Sequence, residues 1–359
     1  MIPFRRFMEL ALYHPDHGYY ASGRARVGKS GDFYTSVSVG RIYGRMLASV
    51  CHEVWEGLGS PKEFTIVEQG ANDGTMAVDI LTRIEEAGGS FAEAVRYRIV
   101  EPFPINRSRQ QEKLSGFPKV TWHESNEVLP EFTGIHLSNE LLDAFPVDSV
   151  RWSGSLWEEE CVALDGESLV WKTRPVTDPE LAEAVKRLPA PSREGWRFEI
   201  NRGISHWLTG IASRMKQGLI LTVDYGQVGE DRFAPHRADG TLLAYRNHER
   251  FDNPLEEPGL RDITAQVDFT DLATKALALG LTPIAYSDQQ HFLMGAAEPW
   301  MRSLGDHAPE HRKDLLALNT LLTPSLMGSQ FKMLALGKNF PADPSLGCFK
   351  YQRPGIEAL

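Results

Sequence analysis

The sequence predicts an α/β fold: an open, mostly parallel sheet with helices on both faces, an N-terminal helical cap and an inserted subdomain. Three observations carry this. A β-prone run at 64–67 ends at an acid, Glu68, then passes through a turn bracketed by Gly70 and Gly74 into a helical repeat of Met76, Ala77, Ile80, Leu81 and Ile84. Short apolar runs at 64–68, 97–101, 120–122 and 135–139 alternate with helical stretches, the pattern of βαβ crossovers. That alternation breaks near residue 150 and resumes near 200. The expected division is a helical cap and substrate loop over 1–60, a cofactor-binding core over 61–149, a β-containing insertion over 150–200, and the remainder of the core over 201–359 with a loop insertion near 226–262.

Each element has its own signal. Phe4, Phe7, Met8, Ala11 and Leu12 form an apolar helical stripe that stops before His14-Pro15. The irregular stretch from Gly18 to Ser36 is too polar and aromatic to be core. A second helix is expected from about 39 to 56, with Ser38 as its cap and Ile42, Met46, Val50 and Val54 facing inward. Short Trp- and Val-rich pieces and the link Leu188-Pro-Ala-Pro191 mark the insertion. A helix bearing Ile204, Trp207, Leu208, Ile211 and Met215 then leads into a strand at 219–225. Asp268 is placed to cap a further helix that Gly280 ends, and strands at 281–286 and 331–336 close the sheet.

The glycine loop crosses the carboxyl end of a parallel strand, where open α/β sheets bind their ligands. Its spacing, Gly70-x-x-x-Gly74-Thr75, matches neither a dinucleotide G-x-G-x-x-G nor a phosphate loop ending Gly-Lys-Ser/Thr. The carboxylate of Glu68 repels a pyrophosphate and suits an ammonium or sulfonium group. Glu101, at the tip of the next strand, can accept hydrogen bonds from both ribose hydroxyls. Acid, glycine turn, helix, strand and acid together favour S-adenosyl-L-methionine over NAD; the plainer reading is a tight turn with two solvated acids. The expected cofactor contacts are Glu68, Gly70, Asn72, Gly74, Thr75, Glu101 and Asn139, with Trp122 and Glu124 placed by position to meet the adenine.

A net charge of −10 argues against broad contact with nucleic acid or an anionic membrane, and no apolar run approaches membrane-span length. Cys51, Cys161 and Cys348 are scattered, lack metal spacing and fit a reducing compartment. Arg5, Arg6 and Glu9 fall where a signal peptide needs an apolar core, so a cytoplasmic chain is expected. His14-x-x-His17 has no third ligand nearby, and no metal is expected. Asp224-Tyr-Gly226 lacks the companions of a kinase motif, and Gly-x-Ser-x-Gly is absent.

The ordered motifs Phe7-Met-Glu-Leu-Ala-Leu-Tyr-His-Pro15, Gly18-Tyr-Tyr20, Gly31-Asp-Phe-Tyr-Thr-Ser36, Asn139-Glu-Leu-Leu-Asp-Ala-Phe-Pro-Val147, Asp224-Tyr-Gly226, Asp262-Ile-Thr, Val267-Asp-Phe269 and Met327-Gly-x-x-Phe331 resemble those of the MidA family, whose mitochondrial members are complex I assembly methyltransferases. The resemblance runs through nearly the whole chain. It implies a class I methyltransferase, Rossmann-like sheet, S-adenosyl-L-methionine as cofactor, and methylation of a protein arginine, with a respiratory-complex subunit as one class of protein substrate. The chain departs from the family loop Glu-x-Gly-Pro-Gly-x-Gly-Thr at Ala71 and Asn72. Asparagine tolerates left-handed backbone, so the turn is expected to survive.

Methyl transfer requires the acceptor atom to be aligned with the sulfonium methyl and water to be excluded. For an arginine, flanking carboxylates hold the guanidinium through paired hydrogen bonds. Glu140 and Asp143, three apart, are expected to share a helical face just past the fourth strand, and Asp32 to fold over the same place. These three are the candidate catalytic residues. The competing reading of the pair is a helix's first turn capped by Asn139, and that of Asp32 an Asx-turn. Tyr19, Tyr20, Phe33 and Tyr34 either wall a cationic pocket or pack the cap onto the core. A small-molecule O- or N-methyltransferase and a non-catalytic assembly scaffold on the same fold stand as alternatives.

Overall fold

The computed structural model describes residues 1–25, 31–32, 34–341 and 346–359. Among these, eight strands form the central sheet. Its seven principal strands are β1 (Phe64–Gln69), β2 (Val95–Val100), β3 (Val120–His123), β4 (Phe132–Asn139), β5 (Met215–Gln227), β6 (Thr282–Asp288) and β7 (Phe331–Lys338). They lie in the order β3-β2-β1-β4-β5-β7-β6. β1 to β5 run parallel, and β7 is antiparallel to both of its neighbours. The order reverses between β1 and β4, which opens a crevice at their carboxyl ends, the usual ligand site of such sheets. β1 and β4 are almost wholly buried, as strands covered on both faces must be. Where β4 and β5 begin, a Cβ on Gly134 would lie 1.9 Å from Thr65 O, and one on Gly218 1.9 Å from Gly134 O, so only glycine lets these three backbones approach.

The helices that flank the crevice follow their apolar stripes. α1 (Phe4–Tyr13) buries the five residues of its predicted stripe, and α3 (Thr75–Ala87) does likewise. The second predicted helix is two pieces instead. Ser36–Val39 is capped by Thr35, with Ser38 completing a capping box rather than acting as the cap. Gly40, at φ 154°, then breaks the chain before α2 (Ile42–Gly57). α4 (Pro104–Lys113) and α5 (Gly203–Arg214) line the lower part of the crevice. α6 (Phe269–Ala278) starts at Asp268, whose carboxylate accepts from Asp271 N at 2.8 Å, and Gly280 lies just past its end at φ 73°. α7 (Gln289–Leu304) and α8 (Arg312–Leu322) fill the chain between β6 and β7.

The insertion is an antiparallel sheet of Asp148–Trp152, Trp157–Asp165, Ser168–Pro175 and Arg197–Ile200. Ile2–Pro3 adds a short strand to its Trp157–Asp165 edge, so the N-terminal segment is tied to the insertion as well as to the core. The stretch expected only as a loop near 226–262 contains another small sheet, Leu243–Arg246 with Glu249–Phe251 and Asp262–Thr264. Asn247 and His248, both left-handed at φ 52° and 64°, make its hairpin turn. Among the described residues no helix is long and apolar enough to cross a membrane.

Candidate active site

A cavity of about 1170 Å³ opens at the carboxyl ends of the central strands, and Glu68, Glu101, Asn139, Glu140, Asp143 and Asp32 all line it. It exceeds the usual pocket for one small ligand. Its two ends differ in construction.

The glycine loop forms one end. Gly70, Asn72 and Gly74 are all left-handed, at φ 82°, 47° and 83°, so Asn72 adopts the backbone its residue type tolerates. Gly74 N donates to Ala71 O at 2.7 Å, and Asp73 Oδ1 accepts from Thr75 N at 3.0 Å. Lys113 ties the loop from α4 by donating to Asp73 Oδ2 and, at 2.8 Å, to Thr75 Oγ1. Glu68 is buried and accepts the Tyr97 hydroxyl on Oε2 at 2.6 Å, while its Oε1 has no partner among the described residues. Burial pushes this carboxyl up to about 7, against the pull of the tyrosine hydrogen bond. Glu101 accepts from Phe103 N and Gln110 Nε2, each at 2.9 Å, and burial raises it as well.

Gln110 is the hub of this end, and the sequence offered no signal for it on a helix otherwise rich in polar residues. Fully buried, it donates to Asn72 O at 2.8 Å as well as to Glu101, and accepts from Trp122 Nε1 at 3.1 Å. That last contact corrects the expectation for Trp122: its indole packs behind the wall and does not line the cavity. Gly74 also stays off the lining and shapes the turn instead. Glu124 does line it, as an exposed side chain 3.7 Å from Arg107. The residues present fit S-adenosyl-L-methionine. The orphaned Glu68 Oε1 suits an ammonium, and each Glu101 oxygen keeps a lone pair for a ribose hydroxyl.

The other end is built from distant segments. The chain leaving β4 does not enter a helix, so Glu140 and Asp143 do not share a helical face and Asn139 is not a cap. Glu140 is left-handed at φ 52°. The turn after it is stapled by Asp224 of β5, whose Oδ2 accepts from Leu141 N, Leu142 N and Asp143 N at 3.2, 2.8 and 3.3 Å. One carboxylate thus takes the amides a helix start would leave open, and Pro146 follows too soon for a helix to grow. Asn139 instead accepts the Tyr43 hydroxyl on Oδ1 at 2.6 Å and donates Nδ2 to Glu140 Oε1 at 2.9 Å.

Glu140 and Asp143 nevertheless meet in the cavity, joined by Asp262, which accepts the Tyr20 hydroxyl at 2.8 Å. Burial, then Asp224, pushes Glu140 up to about 8. Burial pushes Asp262 up to about 7, and burial with Asp224, Asp262 and Glu140 raises Asp143 well above the carboxylate range. Among the described residues no lysine or arginine pairs with Glu140, Asp143 or Asp262. Asp32 clasps the roof: it accepts from Tyr19 OH at 2.6 Å and Asn247 N at 2.9 Å, and its backbone carbonyl accepts from His248 N at 2.8 Å. Of the expected aromatic wall, Tyr20 and Tyr34 line the cavity, Tyr19 is buried behind Asp32, and Phe33 lies outside the described residues. Asp224 and Asp262 stood in recognisable motifs, yet no role could be read for them because their partners lie far along the chain.

A family model of S-adenosyl-L-methionine-dependent methyltransferases matches residues 46–287, well over half of the chain. The chain belongs to this family, the MidA methyltransferases. It is 29% identical over 365 residues to the mitochondrial protein arginine methyltransferase NDUFAF7 of Danio rerio, covering 93% of this chain and 83% of that one. Its identity to the Drosophila melanogaster homologue is 27% over 364 residues, covering 93% and 81%. The fold superposes with a TM-score of 0.87 and 26% identity on a Burkholderia thailandensis superfamily member solved with S-adenosyl-homocysteine bound, covering 98% of this chain and 92% of that one. Like its family, the protein is an S-adenosyl-L-methionine-dependent methyltransferase. The relatives are named as mitochondrial, which overturns the expectation of a cytoplasmic chain.

Proposed function

We propose that this methyltransferase acts on an arginine of a protein, with Glu140, Asp143 and Asp262 holding the guanidinium. The observation that carries the reading is their clustering, Asp143 and Asp262 buried and Glu140 half-buried, with no cation paired to them among the described residues. Like charges gathered out of water oppose one another, so a site that keeps three of them is suited to a cation. A guanidinium meets carboxylates with paired, charge-assisted hydrogen bonds. The two relatives named as protein arginine methyltransferases support the same acceptor.

Bound S-adenosyl-L-methionine supplies an electrophilic methyl group on its sulfonium sulfur. Glu68, Gly70, Asn72, Thr75 and Glu101 are the residues that would hold it, with Glu124 at the rim and Gly74 fixing the turn. Asn139 orients Glu140, and Asp32 closes the roof above the acceptor. Tyr20 and Tyr225 form walls that keep water out. A guanidinium must lose a proton as its nitrogen is methylated, and the Glu140 carboxylate, pushed up to about 8, is matched to take it near neutral pH.

Incubation with methyl-labelled cofactor and arginine-containing peptides should place label in methylarginine. Glu140→Gln and Asp143→Asn should each lower turnover about 100-fold while leaving S-adenosyl-homocysteine affinity within about twofold. Label found only on lysine peptides or on small molecules would overturn the arginine reading.

A further inference from the structure

We infer that Tyr43, on α2 of the N-terminal cap, is a positioning residue that aims the Glu140 carboxylate through the side-chain amide of Asn139. This rests on Glu140 acting on the acceptor, as proposed above. Tyr43 is fully buried. Its hydroxyl lies 2.6 Å from Asn139 Oδ1, and Asn139 Nδ2 lies 2.9 Å from Glu140 Oε1.

Chemistry fixes the direction of this chain in the form that acts as a base. Ionised, Glu140 can only accept, so in that form the amide nitrogen faces Glu140 and the amide oxygen faces Tyr43. The one hydroxyl hydrogen of Tyr43 is therefore committed to Asn139. Without it the amide loses what holds its orientation, and once flipped it would set its own oxygen against Glu140 Oε1. The backbone of Ser36 also hydrogen-bonds the Glu140 carboxylate. Both Ser36 and Tyr43 belong to the cap, and the Glu140 backbone is pinned separately by donation of its N–H to Val223 O at 2.8 Å. The core thus places the Glu140 backbone, and the cap aims its side chain.

The titratable groups facing Glu140 are Asp224 and Tyr225 of β5, Asp143 of its own loop, Asp262 of the small sheet, and Tyr43. Asp224, Asp143 and Asp262 are acids that raise the proton affinity of Glu140 or are raised with it; the Asn139 donor lowers it. Losing the oriented donor moves that affinity up, so the acidic limb of the kcat–pH profile moves to higher pH.

Tyr43→Phe removes the hydroxyl and keeps the ring. Near pH 7 its kcat should fall about tenfold, with the acidic limb displaced upward by about one pH unit and activity partly regained in more alkaline buffer. The affinity for S-adenosyl-homocysteine, measured by calorimetry, should stay within about twofold. In an Asn139→Ala background the same substitution should have no further effect, because the two residues act in series. An undisplaced limb in Tyr43→Phe, or additive losses in the double variant, would overturn the inference if Glu140→Gln shows its expected loss of about 100-fold. Full activity in Glu140→Gln would instead overturn the reading of Glu140 beneath it, and so the two failures are told apart.

Discussion

The two ends of the cavity treat their carboxylates in opposite ways. At the glycine loop, Glu101 finds donors two and nine residues away, and Asp73 is paired with Lys113. Beyond β4, Glu140, Asp143 and Asp262 receive amide and tyrosine donors but no cation among the described residues. Local hydrogen bonding satisfies most of the first end before any ligand arrives and leaves Glu68 Oε1 for it among the described residues. The second end holds acids that repel one another, and a cationic acceptor is what relieves them.

Substitutions should separate the two ends. The largest effect is expected from Asp224→Ala, which leaves three backbone amides, two of them buried, and Tyr225 N without their acceptor. A loss of about 3 kcal/mol in urea unfolding is expected, with acceptor turnover abolished and S-adenosyl-homocysteine still bound by the folded fraction. Loss of cofactor binding in the folded fraction would show that the two ends are one unit. Next comes Glu101→Gln, which should weaken S-adenosyl-homocysteine about tenfold without altering the pH profile of turnover. Binding equal to wild type would remove Glu101 from the ribose.

A smaller effect concerns stability and pH. Glu68, Asp224 and Asp262 are pushed up to about 7 and Glu140 to about 8, so the folded chain keeps protons that an unfolded one has released. Their contribution is present at low pH and is lost as pH rises through 7 to 8. His136 works the other way. It is buried against Trp207 with both ring nitrogens unpartnered among the described residues, and burial drops it to about 3, so its contribution is lost as pH falls below 6.5. Between pH 6.5 and 8 the carboxylates therefore dominate, and the melting temperature of the ligand-free protein should decline by several degrees, or about 2–4 °C per kcal/mol lost. A flat or rising melting temperature would mean that burial does not hold these acids protonated in the folded chain. The smallest effect belongs to Trp122→Phe, which removes one hydrogen bond behind the wall and should change S-adenosyl-homocysteine affinity by less than about threefold.

Local signals in the sequence revealed most of the fold and the glycine-loop end. The stripes of α1 and α3, the β1 strand, the Asp268 cap and the closing strands all depend on residues within a few positions of one another. The left-handed Asn72 was legible for the same reason. Ser38 was misread as a cap because Thr35 and Ser38 form a reciprocal box, in which either hydroxyl alone looks sufficient. The helix expected at Glu140 failed because its amides are taken by Asp224, more than eighty positions away. Trp122 occupied the expected strand tip, but only the fold shows that its indole turns to Gln110. Asp262 escaped notice as a member of the acid cluster because an inserted sheet delivers it there.

The Asp224 staple also bears on the order in which the molecule assembles. The insertion lies between β4 and β5, so the turn after β4 waits for a carboxylate that arrives 81–83 positions later. Closing so long a loop is slow compared with forming neighbouring βα units. A nascent chain that has completed β1, β2 and α4 already carries Glu68, the glycine turn and Glu101 with their partners Gln110 and Lys113, whereas the acid cluster forms only once β5 and the small sheet bearing Asp262 have docked. Competence to hold the methyl donor should precede competence to use it, both on the ribosome and during refolding from denaturant.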